Sequence, residues 1–370
     1  MSKTKTEWIC FVAGQSAGHI LPAQTIAKKR KEENPNLKTI FYSNHTPLDL
    51  KLLQNNPIVD QHYPLKLMQL PLRQFWKIPV FAWQLMCTFI QVLWQFKKIK
   101  PIEIISTGGL IAIPIALAGK LLGIPVFIYE LNVIPGKATK LLARVANCIY
   151  ICFDETAAYL PKKLCQLKPY PTRFQQTDYT LSKVTAKQMV CKTEKQLNQE
   201  RRTVLVLGGS QGSQFINSFM HQITNLLNLN QFQIIHQTGQ HDQNSIKQIY
   251  AEQNIPALVF SYESNLMPYY RAADLIICRA GAGTLAEVAP LDTPTICIPL
   301  ETNYTDHQLN NARATAKKFR QIHVFRQADL MQDQNQFTEV IQLLQSLIFT
   351  TPESVPLLHQ RDAQPDQSAN

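Results

Sequence analysis

The sequence predicts an α/β protein made of two doubly wound, Rossmann-like domains that face a shared cleft. Three observations carry this. Short apolar runs recur through both halves of the chain, each ends in a loop of small residues, and each loop leads into a stretch with helical spacing. At 370 residues the chain is too long for one ordinary domain and suits two. Domains of this kind hold ligands at the carboxyl ends of their strands, so the small-residue loops are where function is sought.

In chain order, the first domain is expected over residues 1–170, with strands near 8–12, 39–42, 103–105, 126–129 and 148–152. Met1-Ser2-Lys3-Thr4-Lys5 runs straight toward the first strand, so no signal peptide is expected. Ile9-Cys10-Phe11-Val12-Ala13 leads into Gly14-Gln15-Ser16-Ala17-Gly18-His19, and Pro22 falls where the first turn of a helix tolerates it. A second loop, Ser106-Thr107-Gly108-Gly109, follows Ile104-Ile105. The polar stretch 175–202 reads as a linker, loop or surface helix.

The second domain is expected over residues 171–350, with strands near 204–207, 233–236, 257–260, 275–277 and 295–298. Val204-Leu205-Val206-Leu207 is followed by Gly208-Gly209-Ser210-Gln211-Gly212-Ser213 and a helix from Phe215. Leu275-Ile276-Ile277 is followed by Cys278-Arg279-Ala280-Gly281-Ala282-Gly283-Thr284-Leu285-Ala286-Glu287, with a helix restarting at Thr284. The tail 351–370 is rich in Pro, Gln and Asp and is expected to be partly disordered, or to pack back on the first domain through Pro356-Leu357-Leu358. None of the loops is G-x-G-x-x-G and no Walker A sequence is present, which disfavours a dehydrogenase or a P-loop NTPase.

Glu287 is the most telling residue. Backbone N–H groups at a helix mouth suit a pyrophosphate, and a carboxylate one turn in can accept both hydroxyls of a ribose. Alone, the same run would also fit a capped strand with a solvated glutamate. His19 is the leading general-base candidate, because it stands at a loop–helix junction at the carboxyl end of the first strand with an ordinary pKa near ~6.5. A capping or phosphate-orienting histidine fits that position too. His45, His236 and His307 are weaker candidates, and His307 reads as a residue that positions ligand.

Eight cysteines form no C-x-x-C pair and several sit inside apolar strands, so a reducing compartment is expected and a metal site is not. The net charge of +11 is uneven: residues 1–170 hold 21 Lys and Arg against 9 Asp and Glu, and residues 171–370 hold 16 against 17. The excess in the first half fits an anionic partner, membrane or nucleic acid. The segment 67–100 favours membrane. No charged side chain occurs from Ile78 to Phe96, yet Pro79, Gln84, Gln91 and Gln95 make a poor spanning helix. Arg73, Trp76, Lys77, Trp83, Trp94, Lys97 and Lys98 are the expected contacts of a segment lying in an anionic interface. A core helix with basic ends is the other reading, and different faces of one segment could satisfy both. Nucleic acid fits worse, since the aromatics bunch with aliphatics instead of interleaving with Arg.

These residues resemble the MurG family of bacterial cell-wall N-acetylglucosaminyltransferases, which have the GT-B fold. The matches run in order over residues 8–320. They are Gly18-His19-Ile20-Leu21-Pro22, Thr107-Gly108-Gly109 with Ile124-Pro125, and Glu130-Leu131-Asn132-Val133-Ile134-Pro135-Gly136 with Leu142-Ala143-Arg144. Pro171-Thr172-Arg173, the two loops of the second domain, and Asp306-His307-Gln308 with Asn311-Ala312 complete the series. The family's Thr-Gly-Gly-His stands here as Ser16-Ala17-Gly18-His19, and its His-Glu-Gln-Asn as Tyr129-Glu130-Leu131-Asn132.

The resemblance implies an inverting transfer of N-acetylglucosamine from UDP-N-acetylglucosamine to lipid I, giving lipid II, with no cofactor and no obligatory metal. It implies donor contacts at Ser16, Ala17, Gly18, Asn132, Arg173, Ser210, Gln211, Ala282, Gly283, Thr284, Leu285, Glu287 and Gln308, with Arg173 among the cations that neutralise the leaving pyrophosphate. It further implies a peripheral protein on the cytoplasmic face of the inner membrane, with cell-wall synthesis and division proteins as partners. Another GT-B enzyme (a UDP-sugar 2-epimerase or a diacylglycerol glycosyltransferase) and a non-catalytic membrane scaffold are the alternatives.

Overall fold

In a computed structural model, residues 6–68, 70–71, 74–209, 211–226, 232–239, 242–301 and 307–349 are described. Arg73, Ser210, Asp306 and the tail from 350 onward lie outside them, so the expectations for these positions carry no structural account.

The first half alternates β1 (Glu7–Val12), α1 (Ala17–Glu33), β2 (Leu37–Asn44), α2 (Pro47–Leu53), β3 (Gln61–Leu65), α3 (Ile78–Ile99) and β4 (Glu103–Ser106). It continues with α4 (Ala112–Leu121), β5 (Val126–Glu130), α5 (Lys137–Leu142), β6 (Cys148–Ile151) and β7 (Cys165–Leu167). These strands form a seven-stranded sheet in the order β3-β2-β1-β4-β5-β6-β7, and every pairing is parallel. Parallel strands are covered on both faces, which is why they read as near-continuous apolar runs.

The second half begins with α6 (Lys183–Thr193), β8 (Arg202–Leu207), α7 (Gln214–Leu226), β9 (Phe232–Gln237), α8 (Gln243–Glu252), β10 (Ala257–Phe260) and α9 (Met267–Ala272). Then come β11 (Leu275–Cys278), α10 (Ala282–Val288), β12 (Thr295–Cys297), α11 (His307–Lys318), β13 (Ile322–Val324), α12 (Gln327–Gln332) and α13 (Gln334–Phe349). Its sheet runs β10-β9-β8-β11-β12-β13, again parallel throughout. The structure is thus α/β with two Rossmann-like sheets.

Three strands depart from the sequence reading: β3, β7 and β13, all at sheet edges. Edge strands can be short and polar, and β3 even carries Pro64, which an edge tolerates because one side of the strand lacks a partner. The stretch 175–202 is also more than a linker. Ser182 caps α6 by accepting the Thr185 N–H, and Ala186 and Val190 bury one side of this helix in the second core.

α3 sits between two environments. Phe81, Thr88, Val92 and Phe96, spaced for one helical face, are buried, and Phe81, Val92 and Phe96 join the first domain's core. Its other face leaves Trp83 62% and Trp94 66% exposed, and Trp76, in the turn just before it, is 61% exposed. Phe75–Ile99 is long and apolar enough to span a bilayer, but the buried face ties it to the sheet. The core-helix reading describes the buried side, and the other side is an exposed aromatic and aliphatic surface.

Candidate functional site

Each sheet reverses its strand order once, between β1 and β4 in the first and between β8 and β11 in the second. The four small-residue loops of the sequence are the loops that leave these four strands. Such a reversal opens a crevice at the carboxyl ends of the strands, because successive connections peel off to opposite faces. The two crevices face each other and line one cleft of about 1600 Å³.

His19 enters this cleft from the start of α1. Its Nδ1 lies 2.6 Å from the Thr107 carbonyl, while the Thr107 hydroxyl donates back to the His19 carbonyl at 2.8 Å. A carbonyl only accepts, so Nδ1 carries the proton and Nε2 keeps the lone pair. Gly108 makes room for the ring: at φ +124° it adopts a conformation few side chains tolerate, and a Cβ there would stand 2.7 Å from His19 Cε1. Burial pushes the His19 pKa below its ordinary value, opposed by the Glu130 carboxylate and the Thr107 carbonyl. The imidazole is therefore neutral at neutral pH, as a proton acceptor must be.

Glu287 lines the opposite wall on α10. Its Oε1 accepts from Arg173 Nε at 3.0 Å, and its Oε2 accepts from Arg173 Nη2 at 3.3 Å and from the Tyr270 hydroxyl at 2.8 Å. Burial raises the Glu287 pKa, and Arg173 and Tyr270 counter it by favouring the carboxylate. Arg173 lines the same cleft; its guanidinium forks onto Glu287 and donates to the Ser264 carbonyl at 2.7 Å, so it fixes the carboxylate.

The buried cation that faces the glycine loop is Arg279, which the sequence reading quoted without a role. Its Nε donates to Ser213 Oγ at 2.9 Å, its Nη1 donates to the Ile298 and Pro299 carbonyls, and its guanidinium lies 5.4 Å from the Phe215 ring centroid. Burial lowers its pKa to about 10, which leaves it charged at neutral pH. It lines the cleft beside Gly208, Gly209 and Gln211, and among the described residues no carboxylate forms an ion pair with it. A lone Arg after an apolar strand and before a glycine turn was the available signal.

Ser16, Ala17, Gly18, Asn132, Gln211, Ala282, Gly283, Thr284 and Gln308 also line the cleft. The Gln308 Oε1 accepts the Leu300 N–H at 2.9 Å. α10 starts at Ala282, two residues earlier than the sequence suggested. Leu285 differs from its neighbours: its side chain is 1% exposed and packs in the second core, with its N–H bonded to the Gly281 carbonyl, so that side chain supports the helix. His236 is fully buried beside Tyr250, away from the cleft, and is no base. Among the described residues no group of three or more His, Cys, Asp or Glu side chains gathers as a metal site would require.

Comparison with known proteins matches residues 9–151 to the glycosyltransferase family 28 N-terminal domain and residues 203–348 to the family 28 C-terminal domain. The chain belongs to glycosyltransferase family 28. Within family 28, it is 30% identical over 311 residues to the UDP-N-acetylglucosamine--N-acetylmuramyl-(pentapeptide) pyrophosphoryl-undecaprenol N-acetylglucosamine transferase of Myxococcus xanthus, covering 83% of this chain and 77% of that one. The crystal structure of Acinetobacter baumannii MurG superposes with a TM-score of 0.70 at 23% identity, covering 92% of each chain. The UDP-GlcNAc 2-epimerase of Neisseria meningitidis, bound to UDP-GlcNAc, superposes at 0.59 with 13% identity over 92% of this chain and 93% of that one. Both structures share the two-domain GT-B fold, and sequence places this chain with the family 28 transferases.

Proposed function

We infer that this chain moves N-acetylglucosamine from UDP-N-acetylglucosamine to undecaprenyl-pyrophosphoryl-N-acetylmuramoyl-pentapeptide, making lipid II for the cell wall. The observation that carries the reading is the pairing, across one cleft, of an imidazole whose Nε2 has no partner among the described residues and a buried carboxylate held by Arg173 and Tyr270. Membership of family 28 and the name of the Myxococcus xanthus relative supply the sugar and the acceptor.

In this mechanism Glu287 accepts from the ribose hydroxyls, and Arg173 keeps its oxygens aimed. Arg279 and the N–H groups of the loop after β8 offset the charge that develops on the departing pyrophosphate. His19 Nε2 takes the proton from the acceptor hydroxyl as its oxygen attacks the anomeric carbon, and UDP leaves with the electrons of the broken bond. The outer face of α3 rests in an anionic membrane surface, where the lipid-linked acceptor resides and where cell-wall synthesis and division proteins would meet it.

Transfer of labelled N-acetylglucosamine to a lipid I analogue tests the reaction. His19→Ala is expected to lower kcat by roughly 10²–10⁴ while UDP affinity stays within about threefold. Joint loss of UDP binding and activity would make His19 a phosphate ligand or a cap. Turnover of the donor without acceptor would indicate an epimerase, and failure to bind UDP a scaffold.

A further inference from the structure

The two domains are joined across the cleft by the side-chain amide of Asn311 on α11. This residue is 1% exposed. Its Oδ1 accepts the buried Val133 N–H of the first domain at 2.9 Å, and its Nδ2 donates to Asn132 Oδ1 at 3.0 Å. The second bond sets the Asn132 amide: with Oδ1 turned to Asn311, Nδ2 points to Glu130 Oε1 at 3.3 Å. Glu130 is 4% exposed and also accepts the N–H groups of Asn132, at 3.1 Å, and Gly136, at 3.2 Å. Its charge reaches the His19 imidazole.

We propose that Asn311 is a positioning residue that couples the seating of the two domains to the proton-accepting site, through Asn132 and Glu130. This rests on the reading of His19 as the base. When the domains part, the Val133 N–H loses its acceptor and Asn132 loses the donor that fixes its amide. Glu130 then loses one of the groups that hold its charge in place. The amide thus makes the base's surroundings depend on where the nucleotide-binding domain stands. Neither domain alone assembles them.

The test compares the full chain with Asn311→Ala and Asn311→Asp. Three quantities are measured: affinity for UDP-N-acetylglucosamine, kcat on a soluble lipid I analogue, and the distance between two dyes placed on exposed positions of the two domains. Asn311→Ala is expected to keep donor affinity within about threefold, to lower kcat on the order of 10–100-fold, and to broaden the distance toward longer values. Asn311→Asp keeps an acceptor for Val133 but sets an oxygen against Asn132 Oδ1. It is expected to hold the parent distance and still lose kcat, which separates the clasp from the aiming of Asn132. Parental kcat in Asn311→Ala, or loss of donor affinity in step with kcat in both variants, overturns the proposal. His19→Ala is run in parallel: an unchanged kcat there would remove the base assignment, while the distance measurement would still report on the clasp.

Discussion

The two oxygens of Glu287 that would meet a ribose already accept from Arg173 and Tyr270, and a carboxylate has about four acceptor positions to share among such donors. Removing the side chain would therefore take away the proposed sugar contact and strand a half-buried guanidinium. Glu287→Ala is expected to raise the donor KM by roughly 30–1000-fold, about 2–4 kcal/mol. Glu287→Gln can still accept from one arm of Arg173 while its NH2 group opposes the other, so its effect should fall between the parent and Ala. An unchanged donor KM in Glu287→Ala would remove the assignment. The sequence showed the residue but not its holder, because Arg173 lies 114 positions earlier, in the connection between the domains. Leu285 was legible in principle. It is the apolar member of a helical turn, and the period of that helix sends it to the core while Glu287 faces the cleft.

Among the elements, the strands next to each reversal were the easiest to read, since central parallel strands are apolar on both faces and end abruptly in glycine. Three of the four edge strands were hard for the converse reason: β3, β7 and β13 face a partner on one side only and need no apolar signature, whereas the apolar edge β10 was read from the sequence. α6 was obscured because only Ala186 and Val190 are buried within a polar eleven-residue helix. For α3, composition gave the apolar excess, and only the fold shows which face is spoken for. Lys77, Lys97 and Lys98 at its ends would each contribute about 1 kcal/mol near an anionic leaflet. Changing all three to Gln is expected to weaken binding to anionic vesicles on the order of 100-fold, with little effect on a water-soluble acceptor. High salt should weaken but not abolish binding of the parent, because screening acts on charge and leaves the aromatic contacts in place. Equal binding by the triple variant in a vesicle sedimentation assay would return the helix to a purely structural role.

For the whole molecule, acid is the sensitive variable. Burial lowers the pKa of His19, His62, His236 and His323, and it takes His236, fully buried against Tyr250, down to about 3. A folded-state pKa below the unfolded value means that the unfolded chain binds the proton first. Stability from these groups is therefore intact above pH ~6.5 and is lost as pH falls toward the folded-state values. His236 alone should cost about 2 kcal/mol between pH 7 and pH 5. Urea titrations at both pH values would measure the difference, and His236→Gln should flatten it; a pH-independent midpoint in the parent would contradict the account. The exposed side of α3 has one more consequence. The chain has four tryptophans, and three of them, Trp76, Trp83 and Trp94, stand in solvent along this one segment. Intrinsic emission is thus dominated by a single surface, so a blue shift on adding vesicles would report its burial without any label. The molecule carries its own optical gauge of how deeply that surface is wetted.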